Sequence, residues 1–195
     1  MDTPARGGRS DRSGPGSAPD AGALAVPAVR AEAPGDRVAV RHVDEEAFGR
    51  PDEAQLVDLL RERGGALLSL VAVVRGRVVG HVLFTPVRLE SPDRALDGAG
   101  LGPMAVLPAF QRAGVGSRLA TDGIARLRAD GCPFVVVLGH PEYYPRFGFV
   151  PASRHGVRCP WPVPDDAFML LALDPARVQG ASGVARYRDE FVAVK

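Results

Sequence analysis

The feature that most constrains the fold is the stretch VLPAFQRAGVGSRL, residues 106–119, in which Gly114 and Gly116 separate an apolar run from an amphipathic one. The amphipathic run, residues 114–130, has apolar side chains at helical spacing. Residues 133–139, PFVVVLG, are apolar almost throughout, which is typical of a strand buried on both faces. A strand, a helix and a strand within so short a stretch predict a parallel βαβ unit.

The segments before this unit predict the rest of an α/β domain. Residues 24–31 are interpreted as a short strand, and helices are predicted with Asp36 as N-cap and over residues 51–63. Two β-branched, aliphatic runs joined around residues 75–77 predict a hairpin. The polar segment ESPDRALDGAG, residues 90–100, is interpreted as a loop that leads to the next strand.

Composition divides the chain into three parts. Residues 1–23 are rich in Gly, Ser, Pro, Arg and Asp without apolar periodicity, which predicts a disordered tail. One domain is expected over residues 24–174, with short elements in residues 142–152 and 167–175, and residues 175–195 are expected to form a C-terminal extension.

Charge and cysteine content limit the partners and the compartment. The formal net charge is +1, so no global field favours nucleic acid or a membrane surface. No apolar run approaches the roughly 20 residues that span a bilayer. Cys132 and Cys159 are the only cysteines, and the start of the sequence lacks a signal-peptide pattern, which favours a reducing cytoplasm. His42, His81, His140 and His155 show no metal-ligand spacing, so no metal site is expected.

The Gly-x-Gly turn is placed to bind phosphate, because the first amides of a helix are unpaired and carry the positive end of its dipole. A P-loop requires a lysine after the second glycine, and the only lysine of the chain is Lys195. A dinucleotide fingerprint requires a third glycine where this chain has Leu119.

The sequence QRAGVG resembles the Q/R-x-x-G-x-G/A motif of the Gcn5-related N-acetyltransferases, with Gln111, Gly114 and Gly116 at the motif positions. YPRFGF is similar to the second signature of that family, Y-x-x-x-G-F. The order of elements over residues 26–173 resembles the same α/β fold, a mixed central sheet with a parallel βαβ unit flanked by helices. VVVLGHPEYYPRFGF and VRCPWP further resemble the bacterial YhbS-type branch.

The resemblance implies a role for each motif residue. Met104, Ala105 and Val106 would pair with the pantetheine arm of acetyl-CoA, and the Met104 amide would donate to the thioester oxyanion. Tyr144 would protonate the departing thiolate, and the Gln111 side chain would frame the turn. The backbone amides that would hold the pyrophosphate are those of Arg112, Ala113, Gly114, Val115, Gly116 and Ser117.

Alternatives remain open for several of these residues. Tyr144 can also be a core aromatic residue, and Tyr143 is interpreted as packing. Trp161, between two prolines, is interpreted as a loop anchor whose loop can reach the acceptor site. Some family members carry a glutamate near the start of the strand before the motif, whereas the strand assigned here begins at Gly100 and holds no acid. The candidates for the general base are Glu46, His81, His140, Glu142 or a water chain.

The sequence thus predicts an enzyme that transfers the acetyl group of acetyl-CoA directly to an amine, on a small molecule or a peptide. Two alternatives are an acyl-CoA-binding sensor or interaction module without turnover, and a structural protein that does not bind CoA. The acceptor, the preference for acetyl over longer acyl groups and the oligomeric state, a homodimer included, stay open.

Overall fold

The computed structural model describes residues 26–91 and 94–193, so the predicted disordered tail, residues 1–23, lies outside the described residues. The first half of the chain contains β1 (Ala28–Ala31), α1 (Arg37–Phe48), α2 (Asp52–Glu62), β2 (Leu68–Val74), β3 (Arg77–Ser91) and β4 (Arg94–Val106). The second half contains α3 (Val115–Ala129), β5 (Phe134–Leu138), β6 (Val150–Pro151), β7 (Val157–Arg158), β8 (Phe168–Ala172), α4 (Pro175–Val178), β9 (Gly183–Arg186) and α5 (Glu190–Ala193).

The strands form one mixed sheet in the order β1-β2-β3-β4-β5-β8-β6, and β9 pairs with both β3 and β7. Strands β4 and β5 are parallel and are joined through α3, which confirms the predicted βαβ unit. The hairpin between β2 and β3 and the N-cap of α1 at Asp36 are also found as predicted.

Helix α3 lies close to the sheet because one of its residues that faces the sheet, Gly123, has no side chain. A Cβ atom at Gly123 of α3 would overlap the ring of Phe84 on β3. The first turn of α3 is equally close, since a Cβ atom at Gly80 of β3 would lie 3.0 Å from side-chain atoms of Val115 and Leu119. This close packing fixes the start of α3 beside the end of β4.

The interpretation of residues 90–100 as a loop is wrong, because β3 continues to Ser91 and β4 begins at Arg94. Leu89 and Leu96 face each other in the register and are both buried, so the segment has an apolar face that its polar residues conceal. Strand β4 therefore does hold an acid, Asp97, whose side chain is 75% exposed and pairs with Arg88. Asp97 is about 23 Å from Met104 along an extended strand.

Strands β4 and β5 separate after a short paired stretch. Their register runs from Ala99 opposite Val135 to Leu101 opposite Val137. Strand β5 ends at Leu138, whereas β4 continues to Val106. Among the described residues, no strand pairs with residues 102–106 on the side away from β3, and a gap opens in the sheet there.

Residues 175–195, expected to be an extension, contribute strand β9 to the central sheet, opposite residues 88–90 of β3. Beyond β9, Arg188 donates hydrogen bonds to Glu190 at 3.2 and 2.8 Å and to the Arg63 carbonyl at 3.3 Å. These contacts hold the C-terminal segment against the end of α2.

Candidate functional site

The backbone of β4 directs two amides into the gap. The Leu107 amide donates to the Val79 carbonyl at 2.9 Å, and N–H directions alternate along a strand. The Met104 and Val106 amides therefore point away from β3, whereas the amide of Ala105, which lies opposite His81, points toward β3. Of the three strand residues predicted to bind pantetheine, Met104 and Val106 present their backbone to the gap and Ala105 does not.

The turn after β4 is stabilised by the side chain of Gln111 and contains residues with a left-handed backbone conformation. The Gln111 side-chain amide donates to the Val106 carbonyl at 3.0 Å, so Gln111 does frame the turn. Arg112 and Gly114 have φ values of 61° and 81°, and Gly114 is the N-cap of α3. The Arg118 amide donates to the Gly114 carbonyl, and the helical amides before it have no partner within the helix.

A cavity of about 770 Å³ lies over this turn and the end of β4. Its lining residues are Met104, Val106, Gln111, Arg112, Gly114, Gly116, Ser117, His140, Tyr143, Tyr144 and Arg146. The fold therefore brings together most of the residues predicted to bind acetyl-CoA. The side chains of Ala105 and Val115 are buried in the core, and Ala113 lies outside the lining.

The cavity is also lined by Tyr143 and Arg146, to which the sequence interpretation gave no part in binding. Tyr143, interpreted as packing, places its hydroxyl 3.3 Å from the Ser117 hydroxyl. The Arg146 guanidinium lies 4.5 Å from the centre of the Tyr143 ring and donates to the Tyr143 carbonyl at 2.8 Å. Arg146 thus adds a cation to a cavity that also has Arg112. The signal available in the sequence was the position of Arg146 inside the second motif and of Tyr143 directly before it.

Tyr144 lies deeper, with 7% of its surface exposed. Its ring packs edge-on against Tyr143 and Phe149, at centroid distances of 5.1 and 5.7 Å. Burial, and secondarily Tyr143, raises the pKa of the Tyr144 phenol well above its usual value. The phenol therefore keeps its proton at neutral pH, and its hydroxyl has no hydrogen-bond partner among the described residues.

A second cavity, of about 340 Å³, adjoins the first at the ends of β4 and β5. Its lining residues are Phe48, Glu53, Leu56, Leu101, Gly102, Pro103, Met104, Leu138, Gly139, His140, Tyr144, Trp161, Tyr187 and Phe191. Met104, His140 and Tyr144 line both cavities, so the two meet at these three side chains. Trp161 lines this cavity, and the expectation that its loop can reach the acceptor site stays a prediction.

The four candidate bases occupy different places. His140 is exposed at the junction of the two cavities, and Glu142 lines a surface depression beside Tyr143. Glu46 lies on the surface near the end of α1. The expectation that His81 lies near the cleft is wrong, because His81 is fully buried. Its Nδ1 lies 3.2 Å from Asp44 and its Nε2 lies 3.0 Å from Ser69.

Glu53 on α2 is an acid in the second cavity that the sequence did not single out. Its two carboxylate oxygens accept from Arg50 at 3.1 and 2.5 Å. No local motif marks this residue, because it reaches the cavity only through the packing of α2.

The described residues contain neither a metal-ligand set nor a membrane-spanning helix. Within residues 26–91 and 94–193, no three His, Cys, Asp or Glu side chains converge as a metal-ligand set. In the same ranges, every helix is too short or too polar to cross a lipid bilayer.

Comparison with known proteins identifies the family of the chain. Residues 28–152 match the acetyltransferase (GNAT) domain. The chain is 35% identical over 164 residues to the N-acetyltransferase YhbS of Escherichia coli strain K12, covering 84% of this chain and 97% of that protein.

Solved structures that share the fold include two complexes with CoA or acetyl-CoA. The crystal structure of Escherichia coli YhbS in complex with CoA has a TM-score of 0.81 and 34% identity, covering 86% of this chain and 92% of that one. A GNAT family acetyltransferase from Brucella melitensis in complex with acetyl-CoA has a TM-score of 0.69 and 35% identity, covering 85% and 97%. The resemblance and the fold predicted from the two motifs are confirmed: the chain belongs to the GNAT family of N-acetyltransferases.

Proposed function

We propose that the protein transfers the acetyl group of acetyl-CoA directly to an amine bound in the second cavity. The observation that carries the proposal is the meeting of the two cavities at Met104, His140 and Tyr144. A donor on one side of the gap and an acceptor on the other can react there without an enzyme-bound intermediate. The complexes of the two relatives with CoA and acetyl-CoA support the identity of the donor.

The first cavity suits a phosphate-bearing ligand. The amides at the start of α3 carry the positive end of the helix dipole, and Arg112 and Arg146 add cations beside them. A Cβ atom at Gly116 would lie 3.0 Å from the Tyr143 hydroxyl, so a larger residue would fill the space that a pyrophosphate requires. In this proposal, the amides of residues 112–117 and the Gln111-braced turn hold the pyrophosphate.

The unpaired edge of β4 suits the amide-bearing pantetheine arm. The Met104 and Val106 amides face the gap, where an extended ligand can add hydrogen bonds as another strand would. This pairing aligns the thioester with the Met104 amide, which stabilises the oxyanion as the carbonyl is attacked. Removal of one such donor typically costs about 10²–10³-fold in rate.

Two side chains at the junction complete the proton transfers. Tyr144 keeps its proton because burial raises its pKa, and it delivers that proton to the leaving thiolate. His140, exposed at the junction, accepts the proton of the attacking amine directly or through water. The thioester supplies an activated acyl group, so neither of the free cysteines, Cys132 and Cys159, is required.

The test measures CoA release from acetyl-CoA with a panel of amines, alongside calorimetry of acetyl-CoA binding. Binding with amine-dependent release, lowered by about 10²-fold in His140→Gln, is the expected result. The control is His155→Gln, which changes an imidazole outside both cavities. Tight binding without release for any amine would favour the acyl-CoA sensor, and an absence of binding would contradict both.

A further inference from the structure

The second cavity has an aromatic wall built by the C-terminal part of the chain. The Trp161 ring lies 5.0 Å from the Tyr187 ring, and the Tyr187 ring lies 5.1 Å from the Phe191 ring, centre to centre. Phe48 and Leu138 line the same cavity and are 39% and 43% exposed. Large apolar side chains that remain exposed around a cavity mark a surface that an apolar ligand can cover.

The cavity offers little to a ligand with several charges. Among the described residues that line it, Glu53 and His140 are the only ones with an acidic or imidazole side chain, and none is Lys or Arg. The Glu53 carboxylate is already paired with Arg50 through both oxygens. A polyamine or a peptide with several basic groups would therefore lose water around its cations without gaining new partners.

The junction and the aromatic wall fix how an acceptor must lie. The reacting nitrogen has to reach Met104, His140 and Tyr144, where the two cavities meet. The remainder of the molecule then extends toward Trp161 and Tyr187. A volume of about 340 Å³ is that of a small ligand, since small-molecule pockets span roughly 300–1,000 Å³.

We propose that the acceptor is a small primary amine joined to an aromatic ring by a short alkyl chain. The inference rests on the proposed acetyl transfer and adds the chemical class of the acceptor. The ring packs against the rings of Trp161 and Tyr187 and under Phe48, and the short chain places the amine at the junction.

The first experiment compares kcat/KM for three amines with the full chain: 2-phenylethylamine, hexylamine and spermidine. Aromatic pairs contribute about 0.5–1.5 kcal/mol beyond area burial, so we expect 2-phenylethylamine to exceed hexylamine by about fivefold. We expect spermidine to fall on the order of 100-fold below it, because its further charges lack partners in the cavity.

The second experiment measures binding of the amine by fluorescence, under conditions in which no acetyl group is transferred. Trp161 is the only tryptophan of the chain, so its fluorescence reports ligands that bind at this residue, which lines the second cavity and a neighbouring depression beside Cys159 and Pro162. We expect 2-phenylethylamine, in the presence of CoA, to change the Trp161 emission saturably, with a Kd close to the kinetic KM. Spermidine at the same concentrations should leave the emission unchanged.

A variant pair on one helix tests the position of the ring. Phe48→Ser removes an exposed ring from the cavity rim and is expected to raise the KM for 2-phenylethylamine by about fivefold. Val38→Ser is the matched control, since Val38 is also on α1, is 83% exposed and lies outside the cavity. It should leave both KM and the fluorescence titration unchanged.

Failure of this inference can be separated from failure of the proposed function. Turnover that favours spermidine, with no response of Trp161 to 2-phenylethylamine, would overturn the aromatic acceptor and leave acetyl transfer in place. An equal KM for 2-phenylethylamine in Phe48→Ser and Val38→Ser would likewise overturn the placement of the ring. Absence of acetyl-CoA binding by calorimetry would instead reject the proposed function.

Discussion

The ring of Tyr144 lies directly against the backbone of Gly139, so that a Cβ atom at Gly139 would overlap the ring edge. Gly139 is the residue after β5, and it lines the second cavity together with Tyr144. The position of the Tyr144 phenol in the junction thus depends on the absence of a side chain at Gly139.

Gly139→Ala is expected to displace the Tyr144 ring and to lower kcat by at least about tenfold, because a misplaced proton donor loses most of its effect. Acetyl-CoA affinity should change less than kcat. Gly35→Ala is the control, since a Cβ atom at Gly35 meets nothing within 4 Å. Steady-state kinetics that are the same for both variants would show that the proximity of Gly139 to Tyr144 has no role in turnover.

Tyr144→Phe keeps the ring and removes only the hydroxyl, so the fold and the acetyl-CoA affinity should be preserved. We expect kcat to fall by about 10²-fold. The loss should be similar from about pH 6 to about pH 9, because burial raises the pKa of the Tyr144 phenol and the phenol stays protonated over this range. The measurement is kcat against pH for both proteins, and equal rates throughout would make Tyr144 a packing residue.

Gly116→Val should weaken acetyl-CoA binding by at least about tenfold, since hydrogen bonds to charged groups each contribute roughly 1.5–3 kcal/mol. The added atoms would occupy the cavity, 3.0 Å from the Tyr143 hydroxyl. Gly114 is unsuitable for this test, because its φ of 81° would strain any other residue. Calorimetry measures the acetyl-CoA affinity of Gly116→Val and of the control Gly35→Val. Equal affinities would contradict the proposal that this turn binds the pyrophosphate.

Alkaline pH should destabilise the fold through its buried phenols. Burial is the main cause that raises the pKa of both Tyr144 and Tyr187, so each phenol stabilises the folded state below the unfolded pKa. That stability is lost as pH rises above about 10, by roughly 1.4 kcal/mol per phenol at about pH 11. Urea unfolding from about pH 8 to about pH 11 measures how the free energy of unfolding falls with pH. This fall should be smaller in Tyr144→Phe, which lacks one of the two phenols.

Residues 1–23 are predicted to be dispensable, since their composition cannot bury a core. A protein that starts at residue 24 should keep its melting temperature and its acetyl-CoA affinity. A loss of several degrees on deletion would move the domain boundary toward the N-terminus.

The sequence predicted the fold well where a periodic pattern or a turn residue was local. The βαβ unit, the β2–β3 hairpin and the N-cap at Asp36 all depend on residues close together in the chain. The start of β4 could not be predicted in the same way. Apart from Leu96, the residues around Asp97 are polar or small, and they become a strand through pairing with β3.

In the site, too, local features could be predicted from the sequence and features that depend on tertiary packing could not. The turn at Gly114 was recognisable because its two glycines and its amides lie within one short continuous stretch of the sequence. The burial of His81 was not, because Asp44 and Ser69 come from α1 and β2. Glu53 and the aromatic wall were equally hidden, since only tertiary packing brings α1, α2 and the C-terminal segment to one cavity.

The two cavities differ in how their lining residues are distributed along the chain, and they can therefore diverge independently of each other. The turn and strand edge proposed to hold acetyl-CoA lie in one continuous donor segment, residues 104–117. The cavity proposed to hold the amine draws on α1, α2, the end of β5, the Trp161 loop and the residues after β9. Substitutions in those scattered segments can exchange one acceptor for another while the donor segment is inherited intact. Homologues with an identical donor segment can therefore differ in the amine they acetylate, and the residues to compare between them are those at the rim of the smaller cavity.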